Sequence, residues 1–266
     1  MSIADRVTLY EALKKALDAG LPAGQATVVA GAGLGKKLVL LPDQVLGSLG
    51  SPAIDELATA HLRDALANER SVTTAELDPG GSTEVEVFYA VFPAPPTLLI
   101  FGAVHVAQAL TRMAKMLGFR VIVTDARAKL ATSERFPEAD QILQAWPDDA
   151  LTQLTLPPST YVAILTHDPK FDEPALLGTL ETSAKYIGAV GSRKTNADRR
   201  QRLIDAGVSD ESLARIRGPI GLDIGAETPE EMAVSILAEI IAMRHDREGG
   251  PLTRAIGNIR GERQAN

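Results

Sequence analysis

The chain opens on a helical rhythm. Apolar Ile3, Val7, Tyr10, Leu13 and Leu17 recur three or four positions apart, and Gly20 with Pro22 supplies a stop, so the pattern predicts a helix over roughly the first twenty residues. The period then shortens. Residues 26–29 and 37–41 are β-branched or apolar runs on either side of Gly31-Ala32-Gly33-Leu34-Gly35, which reads as two strands joined by a glycine loop. Pro42-Asp43 marks a turn, residues 45–48 a short strand, residues 52–66 a helix capped by Ser51, and residues 83–92 a strand. Pro93-Ala94-Pro95-Pro96 can continue neither a helix nor a central strand. It separates a first domain, residues 1–93, from a second, residues 98–266.

Beyond the prolines, buried-type strands alternate with amphipathic segments. Strands are expected at 98–101, 120–124, 141–143 (a weak one), 161–166 and 186–190, and helices at 106–117, between 124 and 141, at 174–181 and at 197–206. A last helix, 228–244, opens on Thr228-Pro229-Glu230-Glu231, a capping box with proline in the first turn. The final fifteen or so residues turn polar and are expected to be poorly ordered. The predicted fold is therefore α/β, a C-terminal Rossmann-like parallel sheet with a smaller N-terminal α/β domain. In doubly wound sheets ligands bind outside the carboxyl ends of the strands, which is where candidate chemistry belongs.

Composition narrows the choice of partners. With 45% hydrophobic and 23% charged residues the chain is ordinary globular material, and its formal net charge of −7 argues against a nucleic-acid partner. It contains no cysteine, which excludes disulfides, iron–sulfur clusters and thiol nucleophiles within the chain. His61, His105, His167 and His245 are too far apart for zinc-ligand spacing, so no metal site is expected. The first twenty residues are amphipathic rather than leader-like, and no apolar run is long enough to span a bilayer. A cytoplasmic protein without a membrane partner is the expectation.

Three clusters sit at predicted strand ends. The first, Gly102-Ala103-Val104-His105-Val106-Ala107, stands where a Rossmann protein carries G-x-G-x-x-G/A, with Val104 at the position that normally lets a pyrophosphate approach. Asp125 ends the next strand, where a dinucleotide site keeps its ribose-binding acid, and Arg127 stands beside it. His105, at the first turn of a helix, could meet an anion or shuttle a proton, or be a passive surface residue. The second cluster is Thr166-His167-Asp168-Pro169-Lys170-Phe171-Asp172. In its functional reading His167 and Lys170 meet an anionic ligand and Asp168 orients one of them; otherwise it is a solvated turn. The third, Gly191-Ser192-Arg193-Lys194-Thr195, offers a glycine, hydroxyls and cations at a helix start, which suits a phosphate. The bland alternative has Arg193, Lys194, Arg199 and Arg200 forming a solvated helical face. Gly218 to Ala226 is a glycine-spaced loop leading to the final helix, and Glu231 is read as a helix cap.

These motifs, in this order, resemble the XdhC/CoxI family of accessory proteins. The resemblance runs through residues 25–37 and 47–50 and, more closely, through 101–107, 166–172, 187–193 and 218–231. It implies a protein that binds molybdenum cofactor, as molybdopterin or its dinucleotide form, and assists its maturation or insertion into a xanthine or CO dehydrogenase-type molybdenum hydroxylase client, acting as a chaperone more than a catalyst. The implied cofactor-binding set is Gly102, His105, Asp125, His167, Asp168, Lys170, Gly191, Ser192 and Arg193. Family members often carry glycine where this chain has Val104, and a cysteine in the stretch that here reads Gly47-Ser48-Leu49-Gly50. Any sulfur transfer would then use a partner's thiol, such as that of a cysteine desulfurase. The alternative from the residues alone is an NAD(P)-dependent oxidoreductase using the same cleft, and a homodimer stays open.

Overall fold

In the computed structural model, residues 3–67, 72–77 and 85–254 are described. Those before Pro96 form one compact unit and those from Pro96 onward another. Part of the expected strand at 83–92, and nearly all of the tail expected to be poorly ordered, lie outside the described residues.

The first unit is an antiparallel sheet with a helix on each face. Strands β1 (Ala23–Ala30), β2 (Lys37–Leu40), β3 (Val45–Gly47), β4 (Val72–Leu77) and β5 (Val85–Phe92) lie in the order β3-β2-β1-β5-β4. The side-chain alternation of β2 assigns the helices. Leu38 and Leu40 pack with Ile54, Ala58 and Leu62 of α2 (Pro52–Ala67), while Val39 packs with Leu9, Leu13 and Ala16 of α1 (Ile3–Asp18). Of the helical face read from the sequence, Leu13 is buried, but Val7, Tyr10 and Leu17 are exposed. The reason is that α1 carries apolar residues on several sides, and Leu9 and Ala16 complete the side that fits the sheet. Strand β4 escaped the sequence reading because Thr73, Thr74 and Glu76 interrupt its apolar pattern; it lies at an edge of the sheet, where polar side chains are tolerated.

The second unit is a parallel six-stranded sheet. Its strands are β6 (Thr97–Phe101), β7 (Arg120–Thr124), β8 (Gln141–Leu143), β9 (Thr160–Ile164), β10 (Tyr186–Ala189) and β11 (Ile216–Arg217), ordered β8-β7-β6-β9-β10-β11 with every neighbouring pair parallel. Alternate residues serve opposite faces. Leu98, Ile100, Val121, Val123 and Ala163 pack with α3 (His105–Met116) and α8 (Pro229–Arg244). Leu99, Phe101, Ile122, Val162 and Ile164 pack with α5 (Pro169–Leu180), α6 (Arg193–Asp205) and the short α4 (Pro147–Thr152) and α7 (Asp210–Ala214). Burial on both faces makes these strands continuous apolar runs, each fully buried aliphatic side chain contributing about 1.5–3 kcal/mol. No described helix is long and apolar enough to cross a membrane.

The helix expected between β7 and β8 is absent: residues 125–140 are turns. Side chains hold that segment open by bonding to backbone, Arg135 donating to the carbonyls of Ala103 and Leu130 and Gln144 to that of Ala131. Helix α5 starts at Pro169 instead of 174, because the Asp168 carboxylate caps it by accepting from the Lys170 amide at 3.0 Å. Helix α6 likewise starts at Arg193 instead of 197, capped by Ser192. The capping box of α8 forms as read, with the Thr228 hydroxyl accepting from the Glu231 amide and the Glu231 carboxylate accepting in return.

Candidate functional site

Strand order reverses between β6 and β9, and the two chain segments leaving these strands touch. Gly102 has φ of 105°, and a side chain there would meet Thr166 Cγ2 at 2.5 Å and the Thr166 amide nitrogen at 3.2 Å. Glycine is thus required where the first and second clusters pass each other. Val104 then enters α3 in an extended conformation and offers no side-chain cap. Its side chain packs partly buried against the α3–α8 core, so it fills protein space. The first-turn amides of α3 have no intrahelical partner, and His105 is exposed at the first helical position.

Asp125 has a different task from the one its position suggests. Its buried carboxylate accepts from the Ala103 amide (2.8 Å), from the Arg127 amide (2.9 Å) and from Arg127 Nε (2.9 Å) and Nη2 (2.7 Å). These bonds use the acceptor capacity of a carboxylate and lash the glycine loop to the turn after β7. Burial pushes the carboxyl upward, but the bonds from Arg127 and Ala103 outweigh it and hold the group below its ordinary value. Asp125 is therefore engaged within the chain, while the Arg127 side chain remains 50% exposed.

The second and third clusters are joined beneath the surface. Thr166 Oγ1 donates to Asp172, whose other oxygen accepts from Arg199 Nη2 at 2.8 Å. Arg199 also donates to the Val190 carbonyl at 3.0 Å and to Asn196 Oδ1 at 2.6 Å, and Asn196 donates to the Gly191 carbonyl at 3.0 Å. Arg199 is buried, so it does not belong to a solvated helical face. Nor does Asp168 orient His167 or Lys170 through its side chain; it caps α5, as Ser192 caps α6. Gly218 lies against Asn196, with no room for a side chain, so the last glycine loop reaches the same edge.

A continuous run of contacts therefore links Asp125, Ala103, Gly102, Thr166, Asp172, Arg199 and Gly191 along the carboxyl edge. His105, His167, Lys170 and Arg193, at or near the starts of α3, α5 and α6, have exposed side chains, and Ser192 stands at the start of α6. Two cations, two imidazoles and an uncapped helix start on one edge can hold an anion, and a phosphate matches that donor set. No group of three or more His, Asp or Glu among the described residues could hold a metal ion. From sequence alone Asn196 went unnoticed and Asp172 and Arg199 had no part in the frame; nothing local announces that Arg199 points inward.

A six-stranded parallel sheet in this order, glycine-tight at its reversal point, defines a Rossmann-type domain. Residues 98–240 match the XdhC Rossmann domain family, and the chain belongs to that family. It is 35% identical over 176 residues to a probable xanthine dehydrogenase subunit from Bacillus subtilis, covering 66% of this chain and 51% of that protein. It is 32% identical over 133 residues to the molybdenum cofactor insertion chaperone PaoD of Escherichia coli, covering 50% of this chain and 41% of that one. The uncharacterized protein YqeB of Escherichia coli is 34% identical over 174 residues, 65% of this chain and 31% of that protein. The chain thus spans about a third to a half of the curated relatives it matches. A crystal structure of a xanthine dehydrogenase from Bacillus halodurans shares the fold, with a TM-score of 0.54 at 20% identity over 90% of this chain and 96% of that one.

Proposed function

We propose that this chain is a maturation accessory that binds molybdenum cofactor, as molybdopterin or its dinucleotide form, at the carboxyl edge of β6, β9 and β10 and passes it to a molybdenum hydroxylase client. The observation that carries this reading is the division of labour at the edge. Asp125, Asp172 and Arg199 are consumed in the frame, whereas His105, Lys170 and Arg193 have exposed side chains and His167, also exposed, bears on the frame through its charge near Asp172. Kinship with PaoD and with the Bacillus subtilis protein supports it. Lys170, Arg193 and the first-turn amides of α3 would hold the phosphate, and His105 and His167 would bond to the heterocycle or accept its protons. The bound cofactor supplies metal and dithiolene chemistry to the client. This chain's residues supply orientation and shelter. Having no cysteine, the chain would rely on a partner such as a cysteine desulfurase for any sulfur. A cytoplasmic setting and a homodimer belong to the same proposal.

The competing reading, an NAD(P)-dependent oxidoreductase, draws on the strand order alone. Against it stands the saturated Asp125 carboxylate, which leaves no acceptor for a ribose hydroxyl. Thermal unfolding with NAD, NADP, CMP, CTP and molybdopterin separates the two readings. Ligand present at a hundred times its Kd stabilises by about 2.7 kcal/mol. A shift with molybdopterin or the cytidine nucleotides is expected, and a shift confined to NADP would reverse the assignment.

A further inference from the structure

The chain's one tryptophan follows β8 and stands at the N-terminus of α4, 47% exposed. Its indole stacks on Phe171, with ring centroids 4.3 Å apart and planes 15° from parallel. Phe171 lies in the first turn of α5, next to Lys170, and the Arg127 guanidinium lies 5.9 Å from the centre of its ring. Arg127 is bound to Asp125, which holds the glycine loop through Ala103. An indole, a phenyl ring and a guanidinium thus form a row from the end of β8 to the loops after β7 and β9. The stack covers one face of the indole and leaves large apolar area in water. That exposure leaves unmet the gain that burying an aromatic ring brings. Helix α4 gains nothing from it as a cap, because Trp146 makes no side-chain bond to the helix start.

We infer that Trp146, backed by Phe171, is the stacking platform for the flat heteroaromatic ring of the ligand whose phosphate is held by Lys170 and Arg193. A half-exposed indole supported on one face is what binds the face of a base or pterin, since every such ring has a π-face and the backing ring fixes the platform in place. This inference rests on the proposed phosphate-binding crevice. It adds a specificity element that selects ligands by their ring.

The test uses the full chain and three probes: CMP, neopterin monophosphate and ribose 5-phosphate, which carries the phosphate without a ring. Affinities are measured by calorimetry, and indole emission reports on Trp146 alone because the chain has no other tryptophan. The expected result is that at least one ring-bearing probe binds more tightly than ribose 5-phosphate, and that CMP binding, where it occurs, quenches the emission. Trp146→Ala should weaken the ring-bearing probe by roughly 5- to 100-fold and leave ribose 5-phosphate unchanged, with Trp146→Phe retaining most of the affinity. A preference for CMP or for neopterin monophosphate tells whether the platform takes the base of a dinucleotide or the pterin. If ribose 5-phosphate binds as well as both ring probes and the emission does not move, the platform is refuted and the phosphate site stands. If no probe binds, the crevice and the platform both fall. The wild-type emission decides even if Trp146→Ala does not fold.

Discussion

Two aspartate–arginine pairs stand on the same edge of the sheet and behave in opposite ways. In Asp172–Arg199 both side chains are 3% exposed, and burial pushes the Asp172 carboxyl above its ordinary value despite bonds from Thr166 and Arg199. In Asp125–Arg127 the carboxylate is 1% exposed but its partner is 50% exposed, and there the bonds prevail over burial and the carboxyl falls below its ordinary value. The chemistry of the pair is the same; what differs is whether the cation is sealed with it. A sealed pair acts as a strut. A half-open pair holds a loop and still leaves a guanidinium half in water.

The comparison is broken most violently by removing one half of the strut. Asp172→Ala leaves Arg199 buried without its counter-charge and is expected to cost about 3–5 kcal/mol in denaturant unfolding. Replacing both partners by apolar residues of similar volume, Asp172→Leu with Arg199→Met, should recover much of that loss; a double variant no more stable than the single would show that the pair does more than fill space. The half-open pair is next. Asp125→Asn should cost about 1–3 kcal/mol, since Ala103 and Arg127 lose a charged acceptor while the shape is kept. Arg127→Ala should cost a similar amount, about 1–3 kcal/mol, because the buried Asp125 carboxylate then keeps only its two backbone amide donors.

The two pairs should also separate by their response to acid. Asp125 has a lowered carboxyl in the folded state, so the stability it contributes is complete above the unfolded carboxylate value and is lost as pH falls toward the folded one. Asp172 has a raised carboxyl, so the folded state takes up its proton first, and its contribution is present at low pH and lost as pH rises through the folded value. Unfolding free energies measured across the acid range should therefore show a shallower acid loss in Asp125→Asn and a steeper one in Asp172→Asn. Equal slopes in both variants would remove the distinction between strut and loop holder. The smallest effect is expected at the rim: Lys170→Ala should change stability by less than about 0.5 kcal/mol, while weakening binding of a phosphate-bearing probe.

What could be read in advance follows the same division between local and long-range. The apolar runs of β6, β7, β9 and β10, the glycine turn at Gly102 and the capping box at Thr228 are local patterns, and each stands in the structure where periodicity or turn chemistry placed it. His105, His167, Lys170 and Arg193 are exposed, but Thr166 and Asp172, in the same stretch after β9, are buried, so polarity alone does not tell rim from frame. What was illegible depends on partners distant in sequence. Asp172 and Arg199 are 27 residues apart, and helical spacing alone cannot tell an inward arginine from its solvated neighbours Arg200 and Arg202. Asp125 was read by its position at a strand end, but its role is set by Ala103, 22 residues away, and by the turn that brings Arg127 back. The absent helix between β7 and β8 is the same lesson, because Arg135 reaches Ala103, 32 residues away, in place of bonding along a helix.

Amide hydrogen exchange of the full chain, with and without molybdopterin, tests whether the loops after β6, β9 and β10 act on one ligand. Exchange is expected to slow in residues 103–107, 167–172 and 191–196 together, at one ligand concentration and to a common saturation. Protection in one of these segments alone, or somewhere else in the chain, would contradict a shared site.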